Sequence, residues 1–410
     1  MCRSLTLFLF LRTTLLLGCL SAPLAAESGS QPIPELTKIE SADLPIGVIF
    51  FALSEDGNTF IAGIDYSVGL YSTSDYTPME KHYERKDEPS ATMENTTSLG
   101  MRANIYDLGY IDANTWYFVG RTLIENDIRV HVRTIHPPQE VSASIIDEIS
   151  YNAFVSSNKN YIASSNGLID WRTGKYYPAK IRVLEPKWHI VPTLTPDNRI
   201  ITYPKQKTVI FDPLNDTIEV WKDATSIGNS IVVTPDNHHV IGLSTANYKC
   251  TLWRWPERKE IGHCSKRLRG IFGKYPEYLE VLALSPDGKR FAIGVENNVR
   301  VYRIEPFQLE LEASTPGRLV ALALSDDGWL AGYDDKGSLR VWNIGTSSLV
   351  GQYDFPSVGW DANSGYKLAF QPNSNKLFLK RSAIEVFEIP KQTTQQKPEA
   401  IPGRKLDNPM

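Results

Sequence analysis

Short apolar segments and tight polar turns alternate along most of the chain. Residues 283–288 read Ala-Leu-Ser-Pro-Asp-Gly, and two further apolar segments follow at 290–295 and 299–304. The last of these, Val-Arg-Val-Tyr-Arg-Ile, mixes apolar residues with arginine and begins with the alternation of a half-buried β-strand. Proline presets the second turn position, and Asp and Gly tolerate the left-handed conformation that follows it. The pattern therefore predicts three consecutive strands joined by tight turns.

This strand–turn–strand unit recurs eight times. The third turn position is occupied in order by Asp56, Ala113, Asn158, Asp197, Asp236, Asp287, Asp327 and Asn373. The mean spacing is about 45 residues, which is the length of one four-stranded blade of a β-propeller. A helical period of 10–15 residues does not separate the strands within any copy, which argues against a βαβ fold.

The predicted fold is all-β: a single β-propeller of eight four-stranded blades over residues 27–390. The last copy ends at Ile389 without an obvious fourth strand. Glu35–Glu40, just ahead of the first copy, can supply that strand and close the ring, since open sheet edges must be covered. Seven blades is the alternative, if the poorest copy, 105–135, is an excursion from the ring.

The copies resemble WD40-type repeats. The segment 283–288 and Leu339-Arg-Val-Trp-Asn343 are similar to the first and third strands of that family, and the resemblance extends over roughly residues 49–390. The Trp-Asp dipeptide of the family is replaced, for example by Trp342-Asn343, so the chain is identified as a WD40-like or quinoprotein-like propeller. The resemblance implies a protein-interaction platform that binds partners through its loop faces, and it implies no particular chemistry.

The first 26 residues have the composition of a targeting segment. Arg3 and Arg12 supply positive charge, apolar stretches follow, and a small-residue region ends at Ala26. This is typical of a secretory signal peptide cleaved after Ala26. The segment 16–19, Leu-Leu-Gly-Cys, also resembles a lipobox, which would make Cys19 a lipidated residue. Both interpretations place the mature protein outside the cytoplasm, in the periplasm or on the outer membrane if the host is bacterial. No later stretch has the ~18 apolar residues of a membrane span.

Two cysteines, Cys250 and Cys264, lie beyond the targeting segment. An oxidising compartment favours their pairing as one disulfide. Residues 251–255 and 260–263 read as strands of a hairpin centred on Glu257, which places the two cysteines opposite each other. Directly opposed residues have Cβ atoms about 4.5–5.5 Å apart, which is close to disulfide range.

The charges indicate neither nucleic-acid binding nor a metal site. Lys plus Arg number 43 and Asp plus Glu number 47, a net charge of −4, whereas nucleic-acid binding needs a basic stripe. The seven histidines are scattered except for His238-His239, and neighbouring strand residues point to opposite faces. No Gly-x-Ser-x-Gly elbow or other nucleophile motif occurs, so we predict no cofactor, metal or catalytic residue from sequence.

The best candidates for partner binding lie in insertions between the repeats. Three of them stand out, at 75–102, 265–277 and 358–366. The last contains Trp360, an interface-favoured residue type. The second carries the basic run Lys266, Arg267 and Arg269 next to Phe272, which could contact an acidic partner or anionic lipid. Residues 391–410, rich in Pro, Gln and Lys, read as a disordered tail.

We therefore predict an extracytoplasmic propeller that acts as a non-enzymatic interaction scaffold and is monomeric by itself. The alternative is an enzyme or small-molecule binder with its site in the central channel, like a quinoprotein or a propeller lactonase. Propeller sites collect residues from several blades, so the missing linear motif is weak evidence against this alternative.

Overall fold

Eight antiparallel sheets of four strands each make up the described chain in the computed structural model. The structure describes residues 33–41, 44–45, 47–64, 67–82, 105–121, 128–146, 153–156, 159–164, 167–178, 193–195, 197–202, 208–222, 230–244, 249–264, 281–356 and 365–390. The predicted targeting segment with Cys19 and the predicted tail lie outside these residues. No helix that is long and apolar enough to cross a membrane occurs among the described residues.

The blades are numbered in chain order. Blade 1 comprises β2 (Val48–Leu53), β3 (Thr59–Ile64), β4 (Ser67–Ser72) and β5 (Pro78–His82), and blade 2 comprises β6 (Ile105–Asp112), β7 (Thr115–Arg121), β8 (Ile128–Thr134) and β9 (Gln139–Ile146). Blade 3 comprises β10 (Ala153–Val155), β11 (Tyr161–Ser164), β12 (Gly167–Asp170) and β13 (Lys175–Pro178), and blade 4 comprises β14 (Thr193–Leu194), β15 (Ile200–Thr202), β16 (Thr208–Asp212) and β17 (Thr217–Trp221). Blade 5 comprises β18 (Ser230–Val233), β19 (His239–Ser244), β20 (Lys249–Arg254) and β21 (Lys259–His263), and blade 6 comprises β22 (Val281–Leu284), β23 (Arg290–Val295), β24 (Asn298–Arg303) and β25 (Gln308–Ser314). Blade 7 comprises β26 (Leu319–Leu324), β27 (Trp329–Asp334), β28 (Ser338–Asn343) and β29 (Ser348–Asp354), and blade 8 comprises β30 (Lys367–Phe370), β31 (Lys376–Lys380), β32 (Ile384–Glu388) and β1 (Thr37–Ile39).

Each blade is an antiparallel meander whose strands we call a, b, c and d from the inside of the ring outwards. The first strands of neighbouring blades contact one another, which places strand a innermost. The eight-blade prediction is confirmed. The poorest repeat, 105–135, supplies β6, β7 and β8 of a four-stranded sheet that β9 completes. Seven blades is therefore ruled out.

The ring closes as predicted, with an N-terminal strand in the last blade. Strand β1 pairs with β32 antiparallel, Thr37 opposite Glu388 and Ile39 opposite Val386. The paired strand is shorter than the 35–40 expected from the sequence, because the residues ahead of it turn to blade 7, where the Leu36 N–H donates to the Gln352 carbonyl at 2.8 Å. One sheet thus joins both ends of the propeller.

The core lies between blades rather than within one central mass. In the junction of blades 6 and 7, Val299 and Val301 pack with Leu319 and Leu322 in one buried cluster. Similar clusters fill the other seven junctions. Because both faces of each sheet are covered, the middle strands carry nearly continuous apolar runs, and the burial of this surface is the main force that holds the ring together.

Candidate functional site at the loop end of the ring

The antiparallel meander sorts every connection to one of two ends of the ring. The a–b and c–d turns lie at one end, which we call the turn end. The b–c connections and the connections from one blade to the next lie at the other, the loop end. This follows from strand order alone, because strand direction reverses at each step.

A repeated side-chain hydrogen bond shapes the turn end. In four blades the Ser or Thr that directly follows strand a donates its hydroxyl to the Asp two residues on, at 2.5–2.7 Å. The pairs are Ser54–Asp56, Thr195–Asp197, Thr234–Asp236 and Ser285–Asp287. The same hydroxyl accepts the N–H of the first or preceding residue of strand b, as in Ser285 and Arg290. The aspartates of these turns thus act as caps.

Neighbouring turns contact one another around the turn end. The Asp287 N–H donates to Asp326 of the next blade at 2.7 Å. A Cβ on Gly288 would lie 2.8 Å from Pro235, so the two turns meet there without room for a side chain. One ion pair reaches farther, because the Lys159 ammonium of blade 3 lies 2.7 Å from the Glu55 carboxylate of blade 1, two blades away. Short, interlocked turns leave little at this end that could vary to suit a partner.

These caps make a testable contribution to acid stability. Partial burial alone would raise the pKa of Asp287, but hydrogen bonds from the Lys289 N–H and the Ser285 hydroxyl outweigh it and hold the pKa below its ordinary value of 3.8. The contribution is therefore present above the unfolded-state pKa and is lost as the pH falls through the lower, folded-state pKa. We expect the free energy of unfolding of Asp287→Asn to fall less steeply than that of the wild type below pH 3.8, as measured by urea denaturation at several pH values.

The matched control for that experiment is Asp327→Asn. Asp327 has the same turn position in blade 7 and is exposed. It should keep the slope of the wild type, and equal slopes for the two variants would contradict the assignment of Asp287 as a cap.

The loop end of blades 7 and 8 carries a cluster of aromatic and cationic side chains. The Arg381 guanidinium binds the Glu385 carboxylate through two hydrogen bonds of 2.7 and 3.1 Å and contacts the Tyr333 hydroxyl at 3.4 Å. It lies 3.8 Å from the centre of the Phe355 ring, a cation–π distance. Burial by itself lowers the pKa of Arg381, but these hydrogen bonds outweigh it and raise the pKa, so the group is charged and fixed in position.

More cations surround this cluster. The exposed Lys336 donates to the Pro316 carbonyl at 2.8 Å, and the buried Lys380 donates to the Gly365 carbonyl at 3.1 Å. The nearby carboxylate of Asp334 is occupied by main-chain N–H groups, including that of Gly317 at 2.7 Å. The Tyr366 ring lies 5.3 Å from that of Tyr333. We call this group of residues the blade 7–8 cluster: Tyr333, Asp334, Lys336, Phe355, Tyr366, Lys380, Arg381 and Glu385.

The predicted partner-binding residues all fall outside the described part of the chain. Trp360 lies between Pro356 and Gly365, and Lys266, Arg267, Arg269 and Phe272 lie between Cys264 and Val281. The described ends of both segments, like those of 83–104, follow a strand d and precede a strand a. The predicted insertion 75–102 begins too early, because residues 78–82 form the outer strand β5 of blade 1. The three segments that leave and re-enter the ring at the loop end are therefore 83–104, 265–280 and 357–364. Pro356 and Gly365 also place the base of the Trp360 segment beside the blade 7–8 cluster.

Sequence reasoning missed the cluster itself. Its members come from b–c and blade-to-blade connections that are far apart in the chain, and the only local signal is the four-residue spacing of Arg381 and Glu385. The two adjacent histidines differ in their surroundings: His238 is exposed, whereas His239 is buried at the start of β19 and its Nε2 lies 3.2 Å from the Glu305 carboxylate. No group of three or more His, Cys, Asp or Glu in the described ranges could hold a metal ion.

The structure contains the disulfide that the hairpin register predicts. Cys250 and Cys264 are bonded, with Cα atoms 5.3 Å apart, and the Cys264 N–H donates to the Cys250 carbonyl at 3.0 Å. Both are buried beside Phe291 and Ile293 of blade 6. The bond therefore fixes the end of strand d from which the 265–280 segment departs.

The fold and the arrangement of its loops define this chain as an eight-bladed β-propeller. Two solved structures with a similar fold are the β-propeller domain of Cps50 (Swd1) from Myceliophteria thermophila and the C-terminal WD40 domain of Sif2. The first is 12% identical with a TM-score of 0.50 over 88% of this chain and 100% of that chain. The second is 12% identical with a TM-score of 0.61 over 88% of this chain and 99% of that chain. No family model and no curated protein matches the sequence. At this identity the likeness is one of fold alone.

Proposed function

We propose that this protein is an extracytoplasmic interaction scaffold that binds a protein partner at the loop end of its ring. The observation that supports this most is the asymmetry between the two ends. The turn end consists of short turns that cap and contact one another, whereas the insertions attach at the loop end. Loops on a rigid scaffold are where binding residues concentrate.

Within the loop end, we assign the contact to the blade 7–8 cluster and the base of the Trp360 segment. Arg and aromatic side chains are enriched where binding energy concentrates at interfaces. Arg381 is held by Glu385 and Phe355 before any partner arrives, which limits the side-chain entropy lost on binding. Lys336 adds an exposed cation, so the partner surface is expected to be acidic and to contain apolar anchors.

The location outside the cytoplasm rests on two supports. One is the composition of residues 1–26, which is typical of a secretory signal. The other is the Cys250–Cys264 disulfide, since structural disulfides persist in oxidising compartments. A membrane anchor through Cys19 is the finer alternative, and mass spectrometry of the mature N-terminus distinguishes it from cleavage after Ala26.

Site-directed photocrosslinking tests the loop-end proposal. A photoreactive benzoylphenylalanine is placed at Lys336 in the cluster and, as the matched control, at Thr346, which is equally exposed but lies in a turn of the same blade at the opposite end. Irradiation of intact cells should give one discrete crosslinked protein from position 336 and none from 346. Equal products from both positions, or none from either, would contradict the proposal.

A second candidate function has one observation in its favour. The eight innermost strands are largely apolar, but the Lys367 ammonium reaches the Phe51 carbonyl at 2.8 Å. Loss of hydration lowers its pKa, and Asp107 acts on it in the opposite direction. A channel that held an anionic ligand would use this cation. Metal analysis and an absorption spectrum of purified protein distinguish the two functions, since a stoichiometric chromophore or metal lost in Lys367→Ala would favour the channel.

A further inference from the structure

The outer strand of a propeller blade is an open edge, and most blades here disrupt it. In blades 1, 2, 5, 6 and 7 the register of strand d slips by one residue. The extra, bulged residues are Met79, Val141, Ile261, Glu310 and Val350. Bulges of this kind twist an edge and hinder the addition of another strand.

The unbulged outer strands differ in what protects them. In blade 3, β13 ends at Pro178, which has no N–H to offer a further strand. In blade 8, the chain just ahead of β1 is hydrogen-bonded to Gln352 of blade 7. Strand β17 of blade 4 pairs with β16 in an unbroken register, Thr208 opposite Trp221 to Asp212 opposite Thr217, and it contains no proline.

Strand β17 also exposes apolar side chains, which edge strands that face solvent usually avoid. Ile218 is 51% exposed, Val220 46% and Leu214, in the adjoining turn, 39%. On the opposite side of the strand the Glu219 carboxylate binds the Arg258 guanidinium through bonds of 2.5 and 2.8 Å. Exposed β-branched residues at alternate positions on a straight edge strand form a pairing surface.

We propose that this edge is the dimerisation surface of the protein, and that β17 pairs antiparallel with β17 of a second copy. When the two-fold axis is normal to the sheet and passes beside one residue, even-numbered residues lie opposite even-numbered ones and odd-numbered residues opposite odd-numbered ones. Ile218 and Val220 of both copies therefore share one face of the joined sheet. Any other partner strand would need a matching apolar alternation, whereas a second copy has it by symmetry.

Charge complementarity selects the register centred on Glu219. In that register Ile218 lies opposite Val220. Lys222, which directly follows the strand, comes close to Asp216, the turn residue that directly precedes the strand of the other copy, so two ion pairs form. The two Glu219 side chains meet at the centre, where Arg258 of each copy neutralises them. Opposed charges and β-branched pairs both stabilise antiparallel neighbours. This departs from the monomer that the sequence predicts.

Dimerisation at the rim is independent of the loop-end function. Strand β17 lies at the outside of blade 4, whereas the proposed partner site is at one end of blades 7 and 8. Both loop ends of the dimer therefore remain accessible.

Sedimentation equilibrium of the full mature chain tests the proposal. The wild type should show a monomer–dimer equilibrium, and Val220→Lys should weaken it at least about tenfold by placing a cation in the apolar stripe. The matched control is Val141→Lys, on the bulged edge of blade 2, where the side chain is 40% exposed and the dissociation constant should not change. A wild type that remains monomeric throughout, or equal weakening by both variants, overturns the proposal.

A charge swap tests the register. Lys222→Asp should weaken association by about tenfold because it creates two like-charge pairs with Asp216. Adding Asp216→Lys to that variant should restore it, since the opposite charges face each other again. Circular dichroism of each variant establishes that it is folded. A folded double variant that associates no better than Lys222→Asp contradicts the Glu219-centred pairing.

Discussion

Replacing Leu36 by alanine is expected to lower the free energy of unfolding of the whole propeller by about 2–5 kcal/mol, the usual range when a buried leucine is truncated to alanine. Leu36 is only 2% exposed and belongs to the core cluster between blades 7 and 8. It immediately precedes β1, the strand that closes the ring. Urea denaturation followed by tryptophan fluorescence measures the change.

The packing partner of Leu36 gives a second way to make the same test. A Cβ on Gly351 would lie 2.4 Å from a Leu36 methyl group, so the leucine occupies space that only glycine leaves open. Gly351→Val should therefore displace Leu36 and destabilise the closing blade as well. Because both changes act on one contact, their effects should not add.

The matched control is Ile33→Ala, three residues earlier. Ile33 is 41% exposed, so its removal should change the free energy of unfolding by less than about 0.5 kcal/mol. Comparable losses from both positions would show that closure does not depend on the buried contact of Leu36.

Removing the Cys250–Cys264 bond has the second large expected effect. The bond joins residues 14 apart in sequence, and a loop of that size corresponds to about 3 kcal/mol in the chain-entropy account of disulfide stabilisation. Reduction of the wild type, or the double change Cys250→Ala and Cys264→Ala, should lower the free energy of unfolding by about that amount. Both sulfurs are buried beside blade 6, so the loss should also loosen that junction.

The double variant supplies its own control. Its unfolding midpoint should be the same with and without dithiothreitol, while that of the wild type should shift only when the reductant is present. If the unfolding midpoint of the wild type were the same with and without dithiothreitol, a stabilising role for the bond would be contradicted. Because irreversible unfolding is common in large disulfide-bonded proteins, refolding yield must be measured alongside.

Much of the fold follows from short-range patterns. The Ser-Pro-Asp-Gly turn at 285–288 predicts its own geometry because the proline, the aspartate cap and the positive-φ glycine act within four residues. The Cys250–Cys264 pairing is predictable for the same reason, since a hairpin fixes its opposed residues once its centre is known. Ring closure followed from counting strands, because a blade with three strands leaves an edge open.

The weak repeat at 105–135 shows where such patterns fail. Its turn at Ala113 lacks the Pro-Asp-Gly residues, so the turn residues alone did not distinguish a ring of eight blades from one of seven. Burial decided the question: Trp116 and Phe118 of β7 pack against Ile61 and Leu70 of blade 1 in one core cluster. A strand with a poor turn is held in place by its neighbours on both sides.

The sequence by itself determined the repeat, the closing strand and the disulfide, because each depends on residues close in the chain or on a simple count, whereas burial was needed to choose eight blades over seven. Only the tertiary structure decided which side chains meet at the ends and rim of the ring. Arg381 and Phe355 are 26 positions apart but in cation–π contact, and the straight edge at β17 is visible only beside its bulged counterparts. Sites of this kind depend on how blades pack and how registers slip, and both are set by contacts between distant segments rather than by local residue preferences.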